Sequence, residues 1–423
     1  MNTNVLIFPC ESNSNELHDA LSYCFNITVF GAASVARHGQ YIYKNYDSSL
    51  PYITDPAFIQ KFNEYLEKNE IDVIIPKHDT IALFLAENAD KIHAKIVQSN
   101  VQTNRICRSK IQTHELFSDC DFVPVRYHDL NKVVYPAFAK PDVGEGGHGA
   151  FIAKQKESFL NIPFDDYLVT EFLPGKEYTV DCFTDKNGVL RYVSPRIRKR
   201  TMAGISVAGQ TESPSEEIRQ IAEKINSRLS FEGLWYFQLR ADNNGKLKLM
   251  EISVRCAGSM CLTRAKGINL PLLSVYTALG QDVTIFDNGK NVEMDRALIG
   301  RYNIHVDYEH VYIDFDDTIT LRGEVNPLAM FFLYQCKNKN KRVHLLTRHI
   351  NDIHDSLRKY AISEGLFENI VLIQDGTSKA DYIESSKSIF IDNMFKERMD
   401  VRQKCNIPVF DADAFEFLLD WRV

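Results

Sequence analysis

The chain has no Cys-x-x-Cys pair, no Gly-Lys-Ser/Thr phosphate-loop signature, no internal repeat and no low-complexity segment. No window approaches the roughly 18 uninterrupted apolar residues that a membrane-spanning helix needs, so no membrane span and no membrane partner are expected. Nine cysteines, odd in number and scattered, supply neither a disulfide framework nor a zinc site and fit a reducing, cytoplasmic compartment. The start, Asn4-Val-Leu-Ile-Phe8 followed by Pro9, lacks the basic flank and the apolar length of a secretory signal. Basic excess is missing too: 49 Lys and Arg stand against 56 Asp and Glu, for a net charge of -7. Nucleic-acid binding is dominated by clustered cations, so no nucleic-acid partner is expected. The one basic run, Arg196-Ile-Arg-Lys-Arg200, is local.

What is present is ordinary for a globular protein: 44% hydrophobic and 25% charged residues over 423 positions. At a prior of about 150 residues per domain, that length implies two or three units. Up to residue 105, the short apolar runs Val5 to Phe8, Asn26 to Phe30, Val73 to Ile75 and Ala94 to Val97 alternate with helical patterns at Ser14 to Tyr23 and Ala57 to Asn69. That rhythm predicts a parallel α/β domain over 1–105. Longer β runs with Gly-rich turns follow, and Asp185-Lys-Asn-Gly188 and Asp242-Asn-Asn-Gly245 predict two hairpins. The α/β rhythm returns after Asp307, which sets domains at 106–305 and 306–423.

Chemistry concentrates in two ordered sets. Phe138-Ala-Lys-Pro-Asp-Val-Gly-Glu-Gly-Gly-His-Gly-Ala150 ends a strand on a lysine and follows it with four glycines, whose backbone N–H groups can approach phosphate oxygens. Thr170-Glu-Phe-Leu-Pro-Gly-Lys-Glu177, Phe237-Gln-Leu-Arg240 and Glu251-Ile-Ser-Val-Arg255 come next. Together these resemble the ATP-grasp superfamily, close to the carbamoyl-phosphate-synthase-like branch, over roughly residues 1–305. The resemblance implies a pre-ATP-grasp domain followed by an ATP-grasp domain with antiparallel sheets. It also implies that Lys110 and Lys140 hold the α- and β-phosphates of ATP and that the loop with Gly144, Gly146, Gly147 and Gly149 folds over the triphosphate. Glu171, Phe172 and Leu173 would form the adenine hinge, and Glu177 would take the ribose hydroxyls. Gln238, Glu251 and Ser253 would sit at the Mg²⁺ positions, where hard oxygen donors are required. Ser253 stands where the family carries asparagine, and Gln238 where an acid is more frequent. Arg255 would neutralise the transferring phosphoryl group. Arg196, Arg198 and Arg200 either reach an anionic acceptor or form a solvated charge run.

In the second set, Val311-Tyr-Ile-Asp-Phe-Asp-Asp-Thr318 is a strand ending in two carboxylates two residues apart, followed in order by Thr347, Lys379 and Asp392-Asn393. Three of these sites lie at the ends of strand-like runs, where open α/β sheets build active sites. The order resembles the haloacid dehalogenase (HAD) superfamily over 306–423. That implies a Rossmann-like domain in which Asp314 is the nucleophile and Asp316 the general acid and base. Thr347 and Lys379 would bind the phosphoryl oxygens, and Asp314, the carbonyl of Asp316 and Asp392 would hold Mg²⁺. Asn393 stands where many relatives carry a second acid. The 32 residues from Thr347 to Lys379 leave no room for a cap domain.

The two resemblances imply an ATP-dependent carboxylate–amine ligase joined to a phosphomonoester hydrolase. Its partners would be a carboxylate, an amine and a phosphorylated metabolite, with room for a homodimer. A carboxylate kinase of the carbamoyl-phosphate-synthase type and a non-catalytic nucleotide-responsive binding protein are the open alternatives.

Overall fold

The computed structural model describes residues 2–11, 14–144, 146–160, 162–202 and 204–422. The chain falls into two compact units, residues up to 298 and residues 299–422. It is a mixed α/β multidomain chain with parallel and antiparallel sheets. Among the described residues, no helix is long and apolar enough to cross a membrane.

The first unit opens with a parallel five-stranded sheet in the order Asn45–Asp47, Ile27–Ala32, Thr3–Phe8, Val73–Pro76, Lys95–Ile96. Its central strand is fully apolar from Val5 to Phe8 because helices cover both faces. The helix Phe58–Lys68 buries Phe58, Phe62 and Leu66, one stripe at i, i+4 and i+8, and the first two rings pack on Phe8. The short strand Asn45–Asp47 and the helix Asp79–Glu87 are additions to the expected pattern.

An antiparallel six-stranded sheet follows, in the order Leu247–Ser253, Gly233–Ala241, Glu177–Thr184, Leu190–Met202, Ile205–Thr211, Glu293–Asp295. Both Asn-Gly turns join antiparallel neighbours in it. A three-stranded antiparallel sheet orders Phe151–Ala153, Ala137–Pro141 and Tyr167–Glu171. One hydrophobic cluster joins Val5, Ile7 and Leu17 to Phe183, Tyr236 and Met260. The 1–105 segment and the sheet that follows therefore share a core.

In the second unit a parallel sheet runs in the order Asn369–Leu372, Arg342–Thr347, His310–Ile313, Ser388–Ile391, Val409–Phe410. After Asp314 the chain turns sharply, with Asp317 at φ 51°, into a ribbon pairing Thr320–Leu321 with Glu324–Val325. Asn326 caps the next helix, Pro327–Asn338, by accepting from the N–H groups of Leu328 and Ala329. The unit starts earlier than the expected residue 306. Arg301 lies 4.2 Å over the Trp421 ring, and Tyr302 packs edge-on against Phe417 at 4.7 Å, which fixes the segment from 299 to the C-terminal helix and tail.

Candidate functional sites

In the first unit the expected phosphate-binding residues include one buried lysine, Lys140, and one half-buried lysine, Lys110. Lys140, near the end of Ala137–Pro141, donates from Nζ to the carbonyl of Met250. That carbonyl is available because of a β-bulge: Gln238 pairs with Glu251 and Leu239 with Leu249, so Met250 has no cross-strand partner. Lys110, in the first turn of the helix Lys110–Leu116, donates to the carbonyls of Asp142 (3.2 Å) and Gly144 (3.0 Å). Burial pushes the Lys140 ammonium down to about 8, an effect that Glu251 opposes and Lys110 reinforces. Burial lowers Lys110 as well, with Glu251 again opposing. The sites expected for phosphate thus hold two cations whose charge is costly until an anion arrives.

Gly146, Gly147 and Gly149 all take positive φ. At Gly149 a Cβ would meet Pro141 Cγ at 2.8 Å, so only glycine fits without a shift. Glu145, inside this loop, lies outside the described residues. The turn between Leu190–Met202 and Ile205–Thr211 reaches the same loop, since a Cβ on Gly204 would stand 2.5 Å from the Gly146 carbonyl oxygen.

Glu171, Phe172 and Leu173 line a small pocket with Phe138, Thr170, Arg240 and Met250. Glu171 is pinned twice to Val125: its N–H donates to the Val125 carbonyl and its Oε1 accepts from the Val125 N–H, both at 2.9 Å. Glu177 sits between Arg198 (3.0 Å) and Arg240 (3.6 Å). A larger polar cleft of about 440 Å³, lined by Gln98, Asn226, Arg228 and Glu232 among others, contains none of these residues.

Ser253 and Arg255 share a partner that the motifs did not single out. Ser253 Oγ donates to Asp79 Oδ1 at 2.6 Å, and Arg255 Nε donates to Asp79 Oδ2 at 2.7 Å. Burial alone would raise the Asp79 carboxyl, but the Arg255 charge and these two hydrogen bonds outweigh it and hold it below the usual range. One signal in the sequence could have found Asp79. It follows the strand Val73–Pro76 at its carboxyl end, where parallel sheets place functional groups. The basic run needs a correction: Arg196 is no cleft residue. It is 2% exposed and forms a two-point pair with the buried Asp181 (2.8 and 2.6 Å), while Thr263 holds the same carboxylate at 2.7 Å. Arg198 pairs with Glu177 and Arg200 with Asp295 at 2.9 Å.

The second unit brings its expected residues to the carboxyl edge of its sheet. Lys379 Nζ donates to Asp314 Oδ1 at 2.7 Å and to Asp392 Oδ2 at 2.6 Å, and all three residues are buried. Burial raises both carboxyls, with the Lys379 charge opposing in each case. Thr347 is fully buried, and its Oγ1 accepts from the His349 N–H at 3.2 Å. Asp316 is half exposed and meets His349 Nδ1 at 2.9 Å. The Asn393 N–H donates to Thr318 Oγ1 at 3.1 Å.

Among the described residues, no group of three or more His, Cys, Asp or Glu side chains is gathered to hold a metal ion. The donors that are present fit Mg²⁺ in its usual protein setting, where one or two carboxylates are completed by phosphate oxygens and water. In the first unit these are Glu251 and, opposite it, Gln238; Ser253 spends its hydroxyl on Asp79. In the second they are Asp314 and Asp392, two buried carboxylates that converge on one cation already.

A family model described as ATP-grasp in the biosynthetic pathway with Ter operon matches residues 163–298. The arginine-specific large chain of carbamoyl phosphate synthase from Bacillus subtilis is 19% identical over 396 residues, which are 85% of this chain and 37% of that protein. The chain thus spans little more than a third of that curated relative. The biotin carboxylase domain dimer of Hydrogenobacter thermophilus 2-oxoglutarate carboxylase, solved with MgADP, ADP and bicarbonate, superposes with a TM-score of 0.55 at 15% identity. It covers 68% of this chain and 72% of its own. An L-amino acid ligase from Bacillus licheniformis gives a TM-score of 0.52 at 18% identity, covering 66% and 74%. Over about two thirds of the chain these likenesses show the fold of those solved structures.

Proposed function

We propose that the first unit is an ATP-dependent carboxylate–amine ligase and that the second unit is a HAD-type phosphomonoester hydrolase. The observation that carries the first half is the pair of lysine contacts, Lys110 on the Gly144 carbonyl of the glycine loop and Lys140 on the carbonyl of the bulged Met250. Phe172 and Leu173 would enclose the base beside Met250, and Glu171, tied to Val125, would hold the hinge rigid. Lys110 and Lys140 would exchange their carbonyl contacts for phosphate oxygens, and the loop N–H groups would close over the nucleotide. Mg²⁺ held by Glu251 and Gln238 would draw charge from the β- and γ-phosphates. Arg255, held by Asp79, would face the γ-phosphoryl group as the acceptor carboxylate attacks it, giving an acyl phosphate that an amine then opens. The MgADP and the amino-acid ligase activity named for the two solved relatives support this reading. ATP consumption that depends on a carboxylate acceptor and disappears in Lys140→Ala tests it.

For the second half, the contact of Lys379 with both Asp314 and Asp392 supports phosphoryl chemistry, since the ammonium offsets two carboxylates at the point where an anionic substrate must enter. Asp314 would attack phosphorus and Asp316 would protonate the leaving oxygen. Selectivity would come from outside a cap, because only the short ribbon at 320–325 follows the nucleophile.

A further inference from the structure

Asp316 needs a fixed direction to act as an acid, yet its side chain is 54% exposed, and a carboxylate in water rotates freely. His349 supplies the constraint. Its Nδ1 lies 3.0 and 2.9 Å from the two Asp316 oxygens, and its Nε2 lies 2.8 Å from Ser356 Oγ on the next helix, Ile353–Lys359. The backbone N–H of His349 is tied to Thr347 Oγ1, and its ring packs edge-on against Phe315 at 5.2 Å. The turn at Phe315–Asp316 and the helix Ile353–Lys359 hold the imidazole, and the strand end at Thr347 holds its backbone. With Nδ1–H donating to the Asp316 carboxyl, Nε2 is left to accept from the Ser356 hydroxyl.

We infer that His349 is a positioning residue for Asp316, locked by Ser356, which fixes the carboxyl in the rotamer from which it serves the leaving group of a bound phosphomonoester. The inference rests on the phosphatase reading of the second unit. In the first step an Asp314 carboxylate oxygen forms a bond to phosphorus, the phosphorus–oxygen bond to the leaving group breaks, and the Asp316 proton passes to the departing oxygen. In the second, Asp316 takes a proton from water, that water attacks phosphorus, and the bond from Asp314 breaks to release phosphate. His349 transfers no proton in either step. It fixes the rotamer from which Asp316 gives one.

Leaving-group chemistry tests this on the full-length protein with Mg²⁺. Nitrophenolate departs without a proton, whereas an alkoxide requires one, and kcat/KM reports the steps up to and including leaving-group departure but not the later hydrolysis. His349→Ala is expected to lower kcat/KM for glycerol 2-phosphate roughly 10- to 100-fold, part of the usual contribution of a general acid. For p-nitrophenyl phosphate the expected change is under about threefold by the same argument. His349→Asn, which keeps an N–H donor near the Nδ1 position, should recover most of the loss, and Ser356→Ala should show a weaker version of the same split. An equal loss on both substrates, or no loss on either, overturns the inference, as does Ala and Asn behaving alike. If His349→Ala melts early, the Asn and Ser356 variants decide it by the same split. Wild-type rates in Asp314→Asn would instead overturn the phosphatase reading itself, so the two failures are distinguishable.

Discussion

Asp79 Oδ2 stands 2.7 Å from Arg255 Nε, a pair that spans 176 positions and ties the N-terminal parallel sheet to the far edge of the antiparallel one. The same carboxylate takes the Ser253 hydroxyl at 2.6 Å. Hydrogen bonds to charged groups contribute about 1.5–3 kcal/mol, which corresponds to roughly 10- to 200-fold in rate. Asp79→Ala is therefore expected to cost about that factor in kcat for ATP-dependent turnover while leaving nucleotide affinity within about threefold. Steady-state kinetics with ATP as the varied substrate checks it. A change confined to KM for ATP would move Asp79 to the nucleotide pocket.

Lys140 makes a pH prediction. Its folded value, pushed down to about 8, lies below the 10.5 of an exposed lysine, so between these two values the unfolded chain holds a proton that the folded site has released. Stability then rises with pH across that window. Nucleotide binding runs the other way, because it needs the ammonium. ATP affinity should fall above about pH 8, by at most about tenfold per unit for one coupled proton. Lys140→Arg, charged throughout, should flatten that fall in a binding titration.

Arg196 makes a stability prediction with no catalytic component. Removing one partner of a fully buried ion pair costs about 3–5 kcal/mol because the other charge is left behind. Arg196→Ala should unfold at clearly lower denaturant than wild type, with Asp181 stranded beside Thr263. Arg200→Ala, which breaks an exposed pair, should shift the midpoint by about 1 kcal/mol or less in the same assay.

Asp314→Asn should abolish phosphomonoester hydrolysis, since an amide cannot attack phosphorus as a carboxylate does. It should leave ATP-dependent turnover near wild type. Phosphate release and ADP formation measured on the same preparation separate the two, and joint loss would contradict independent sites.

Much of this was legible because it depends on local chemistry. Asn-Gly turns announce hairpins, and strands that stop on Lys140, Asp314, Thr347 and Asp392 put chemistry at sheet edges. What escaped depends on pairing across the chain. Lys246 to Ile252 reads as an unbroken strand, and only its register with Gly233–Ala241 leaves Met250 bulged under Lys140. Arg196 reads as one of a basic run, and only the neighbouring strand's Asp181 makes it a core residue. His349 follows Thr347 as an unremarked ring until the fold brings Asp316 to it.

The claim that this chain activates a carboxylate with ATP is tested most directly by trapping. Full-length protein, Mg·ATP, hydroxylamine and a panel of amino and polycarboxylic acids should yield an acceptor hydroxamate in step with ADP, because hydroxylamine intercepts an acyl phosphate. Lys140→Ala should yield neither. ADP formed in step with an acceptor but without hydroxamate, or hydroxamate formed equally by Lys140→Ala, would contradict the account.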